Sequence, residues 1–143
     1  MQLYAAITAL VFICSLSLIV VITAIHDQWL RDEIRKLEAH LCNIDEKIKS
    51  YHAKIRATEE AAKDQEDYID TLWNNAQSYR AKGWVIQAQN VEALVTEEEY
   101  HLDQLNFQIF RFVNRLAYYH NERYQTLSAL AKHGVIQFSE AIA

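Results

Sequence analysis

Proline is absent from this chain of 143 residues, and glycine occurs only twice, at Gly83 and Gly134. Both are far below ordinary usage, which leaves few places to turn and points to an all-α fold of very few helices. Cysteine is scarce as well. Cys14 and Cys42 are 28 residues apart, roughly 42 Å at helical rise, too far to form a disulfide within one chain. Unpaired thiols fit a reducing compartment better than an oxidising one. No basic cluster occurs and the net charge is -5, which argues against nucleic acid as a partner. Nucleophilic triads, phosphate-cradling glycine loops and zinc-ligand spacings are missing too. The expectation is therefore no enzyme, with no catalytic, cofactor-binding or metal-ligating residues.

The chain does contain an apolar run, residues 3–25, with no charge and no strong helix breaker. That length suffices to cross a bilayer, and Tyr4 and Trp29 would mark its two interfaces. A secretory signal is the competing reading. It fits poorly, because no Lys or Arg precedes the run, the run is long, and Ile22 before Ala24 is a poor cleavage pattern. Arg31, Arg35 and Lys36 follow the run, with Asp27, Asp32 and Glu33 interleaved. Since Lys and Arg dominate the orientation rule, the bulk of the chain is expected on the cytoplasmic or matrix side of an integral, single-pass protein.

Beyond the run, Leu30, Ile34, Leu37, Leu41, Ile44, Ile48, Tyr51 and Ile55 recur at alternating steps of four and three. Thr58, Ala62, Gln65, Ile69, Leu72, Ala76 and Tyr79 continue the register, with Thr58 and Gln65 as a polar middle. This is a heptad seam, so the segment should be one long helix pressed along another. Tyr79, Gly83, Trp84 and Ala88 then fall at the offsets of a helix end, a C-cap glycine and a new helix. These residues locally resemble the inter-helix turn of a tetratricopeptide repeat. The resemblance covers one turn and no second copy occurs, and it implies an antiparallel helical hairpin.

The return should carry a second seam through Val91, Val95, Leu102, Leu105, Ile109, Phe112, Leu116, Tyr119 and Leu130, with Glu98, Arg123 and Thr126 as polar members, ending at Gly134. The expected organisation is a transmembrane anchor over 1–26, an outgoing helix over 27–82, a returning helix over 83–134 and an apolar tail at the membrane surface over 135–143. The fold expected is thus a single N-terminal transmembrane helix continuing into a long antiparallel coiled-coil hairpin.

Charge is unevenly spread. Residues 57–103 hold three basic and eleven acidic side chains, a net of -8 against +3 for the rest. Such a belt costs repulsion unless salt screens it or a basic partner meets it, and a solvated face is the plainer explanation. Glu98 and His101 form a Glu-x-x-His pair of the kind used in di-metal bundles. It has no second copy, so only a shared site in an oligomer would use it. Aromatics say more. Phe107, Phe110, Val113, Ala117, Tyr124 and Leu127 extend the apolar face of the return helix beyond its seam, which implies a second partner. Trp73 and Trp84 near the turn either close the hairpin end or anchor a partner.

The function expected from these features is that of a structural or accessory subunit of a larger membrane assembly. It would hold partners, other subunits or further copies of itself, at a fixed distance from the lipid bilayer. A phage inner-membrane spanin shares the short anchor and coiled-coil body, but its body is periplasmic, against the basic flank and lone Cys42. A stalk or tether subunit of a rotary or secretion machine would differ only in its partners. An oligomeric metal-binding helical protein is the remotest alternative.

Overall fold

The computed structural model describes the backbone from Gln2 and side chains from Phe12, both through Val135. The Tyr4 side chain and the tail beyond Val135 therefore lie outside the described residues. Two helices account for the fold, α1 (Gln2–Ala81) and α2 (Val85–Lys132). They belong to two compact units, Met1–Asn43 with Tyr124–Ala143, and Ile44–Arg123. We call these the terminal unit and the turn unit.

In the turn unit α1 stops because Gly83 adopts φ 77°, a left-handed conformation that other residues enter at a cost. The Gly83 N–H donates to the Arg80 carbonyl at 2.9 Å and the Trp84 N–H reaches back to the Tyr79 carbonyl at 2.9 Å. This pair of bonds is a Schellman cap, and it satisfies carbonyls that the helix end would leave open. The rings of Tyr79 and Trp84 stack at 5.8 Å, which supplies the apolar contact that often accompanies the cap. In the terminal unit Gly134, at φ 72°, ends α2 in the same way, with Gly134 bonded to Ala131 and Val135 to Leu130.

Partners across the turn unit run in opposite directions along the two helices. Arg80 meets Glu92, Gln65 meets Glu98, Tyr51 meets Phe112 and Tyr119, and Asp45 meets Arg123. The helices therefore pack antiparallel as a hairpin. Every α1 seam position from Leu30 to Tyr79 is buried or half-buried, and among the described α1 residues Glu33 alone joins them. Ile69, Leu72 and Val95 form the core cluster, with Val91 and Leu102 packed against it. Ala76 and Ala88 are also fully buried, so the seam narrows to small side chains toward the turn.

The polar middle of the seam is satisfied by two different means. Thr58 returns its hydroxyl to the Lys54 carbonyl of its own helix at 2.8 Å. Gln65 crosses to α2 and donates to the Glu98 carboxylate at 2.6 Å. A half-buried amide paired across the interface costs little once bonded, and it penalises any shift that would leave it unpaired.

In the terminal unit Thr126, Leu127 and Leu130 are buried, and His133 lies 3.9 Å from Glu33. From Phe12 to Trp29 every side chain is exposed. This stretch makes α1 long and apolar enough to cross a membrane.

Candidate functional site: the outer face of α2

A helix in a two-helix hairpin has one face to bury, and the remainder needs polar side chains to stay in water. On α2 that rule is broken in the turn unit. Phe107, Phe110 and Val113 are 57%, 61% and 46% exposed, and Ala117 is exposed beside them. Their spacing of three and four residues makes them one continuous apolar row. Tyr124 is also exposed but belongs to the terminal unit. Leu127 requires a correction. At 8% exposure it is covered by the chain itself and leaves the outer row. The reason lies in helix geometry, since a straight helix drifts about 20° per heptad against a 3.5-residue repeat, turning later positions into the contact.

Of the tip residues, Trp84 stacks on Tyr79, and the Lys82 ammonium lies 5.4 Å from its ring centre. It closes the hairpin end while staying half open to solvent. Trp73 and Tyr68 are exposed on α1. Trp29, in the terminal unit, is exposed and stacks on His26 at 6.3 Å.

Glu98 and His101 sit one turn apart, with His101 Nδ1 3.2 Å from the carboxylate that Gln65 already occupies. Among the described residues no group of three or more His, Cys, Asp or Glu side chains is placed to hold a metal. Within the acidic belt, Glu92 is neutralised by Arg80 at 2.7 Å.

A groove of about 710 Å³, not foreseen from the sequence, is lined by residues that include Tyr51, Gln108, Arg111, Phe112, Arg115 and Tyr118. Arg111 and Arg115 are exposed on successive turns of α2, and among the described residues neither has a carboxylate partner. The signal was present in the sequence as two arginines four apart followed by a tyrosine three residues on, which places all three on one helix face. The groove can hold an anionic group between guanidinium forks and aromatic rings.

No protein family, no curated protein and no solved structure matches this chain.

Proposed function

We propose that the chain is a non-catalytic, single-pass membrane protein that serves as a structural or accessory subunit of a larger membrane assembly. Its apolar segment anchors it in lipid and its hairpin docks other subunits. The observation that carries this reading is the exposed row of Phe107, Phe110 and Val113. Three large apolar side chains in a row form a patch of the kind that marks an interface. Burying each contributes roughly 1.5 to 3 kcal/mol, against about 0 to 1 kcal/mol for a surface ion pair.

Phe110→Ser/Val113→Ser should free the chain from the proteins that accompany it out of mild detergent, while its helicity by circular dichroism stays within a few per cent of the original. If the double variant retains its partners, the row is not the docking surface. If helicity collapses, the two residues belong to the hairpin's own core.

The basic residues Arg31, Arg35 and Lys36 support a cytoplasmic or matrix location for the hairpin. Cys42 is exposed and reports the side directly. A membrane-impermeant maleimide should leave it unlabelled in intact cells, and efficient labelling there would place the body outside.

A further inference from the structure

The arginine groove is one end of a longer row. On α2 of the turn unit Glu97, Tyr100, Gln104, Gln108, Arg111 and Arg115 are all exposed and follow one another at steps of three and four. They share one face, and Tyr118 continues it. Glu97 and Arg115 are 18 residues apart, as are Tyr100 and Tyr118, which at 3.6 residues per turn is five full turns. The row is acidic and aromatic at one end, basic and aromatic at the other.

Among the described residues Glu97, Arg111 and Arg115 have no ion-pair partner, while neighbouring Glu98 is engaged by Gln65 and His101. The surrounding charge is sorted in the same sense. Residues 57–103 carry a net of -8, whereas the rest of the turn unit, 44–56 and 104–123, holds seven basic and three acidic residues, a net of +4.

Two copies laid side by side in the same direction would set acid against acid and base against base. Reversed, each acidic end meets a basic end, and the match is made twice about a two-fold axis between Gln104 and Gln108, the self-complementary arrangement of an isologous dimer. We propose that the Arg111/Arg115 groove is a docking site for a second copy of this chain, bound antiparallel, with the partner copy's Glu97 and Tyr100 end seated between the two arginines. The carboxylate accepts from the guanidinium groups, and the tyrosine ring lies against a guanidinium face. This inference deepens the assembly reading by naming one partner, a copy held by a facing bilayer as antiparallel pairing of anchored chains requires, and a surface distinct from the Phe110 row.

The test uses the full chain in mild detergent, with dimer dissociation followed by sedimentation. Arg111→Glu/Arg115→Glu should weaken self-association at least about tenfold, and Glu97→Lys/Tyr100→Lys should do the same, about 1.4 kcal/mol or more in each case. Mixing the two variants should restore wild-type affinity within about threefold, because each new glutamate then faces a new lysine and the untouched ends still match. Raising salt should dissociate the wild type. Arg111→Lys/Arg115→Lys should keep most of the affinity, and circular dichroism should be the same for all variants.

Failure of the mixed variants to associate, or undiminished association of either one alone, overturns the proposal. So does a wild type that stays monomeric at about 100 μM; retention of a polyglutamate peptide by that monomer would assign the groove to a foreign acidic segment instead. Phe110→Ser/Val113→Ser should leave this dimer intact while releasing other subunits, so the two readings can fail separately.

Discussion

Val95→Asp should unfold the turn unit, whereas Leu94→Asp, one residue away, should hardly disturb it. Val95 is 1% exposed and packs with Ile69 and Leu72, while Leu94 lies on the outer face at 46%. A buried carboxylate with no partner is among the few changes that cost about 4 kcal/mol or more. A hairpin of two helices has no third layer to share that loss, and a single domain's whole stability is only about 5 to 15 kcal/mol. Hydrogen exchange should therefore show loss of protection around residues 62–102 in Val95→Asp. For Leu94→Asp the change in the urea midpoint should correspond to under about 1 kcal/mol. Equal effects from the two would mean that the seam is out of register by one residue.

The second large effect concerns the apolar segment. Leu16→Lys/Ile19→Lys should move the chain from the alkali-resistant membrane fraction to the soluble one. Both side chains are exposed, so nothing in the fold needs them, and the helix itself should persist. A lysine near the middle of a membrane helix costs about 2.5 to 3.5 kcal/mol on insertion scales, so two together cost about 5 to 7 kcal/mol, enough to reverse a marginal insertion. Unchanged membrane retention of the double variant would remove the anchor from the account.

The hairpin was legible in the sequence because burial between two helices is periodic and the heptads record that period. The α1 seam from Leu30 to Tyr79 is covered position by position, and the α2 seam from Val91 to Leu130 is likewise buried or half-buried. The turn was legible because Gly83 and Gly134 are the chain's two glycines, and both take the positive φ of a helix C-cap. Less legible were features that depend on where side chains of both helices converge. Tyr51 from α1 completes the groove beside Arg111 and Arg115 of α2, a juxtaposition that neither helix reveals alone. Glu33 lies off the seam yet is half-buried beside His133, because a long side chain can lean into the contact from its flank. By its spacing from Val113 and Ala117 Leu127 reads as part of the outer row, and helical drift together with the buried Thr126 and Leu130 carries it inside. Trp84 reads in sequence first as closure of the hairpin end and second as a partner anchor, and in the structure it stacks on Tyr79 while half of it stays exposed.

We propose that this 16.7 kDa chain works as part of a larger membrane assembly. Native mass spectrometry of the wild-type particle, extracted in mild detergent from its own membrane, tests it most directly. The expected mass is well above that of one chain, with at least one other protein present in fixed stoichiometry. A particle holding a single copy and nothing else would contradict it.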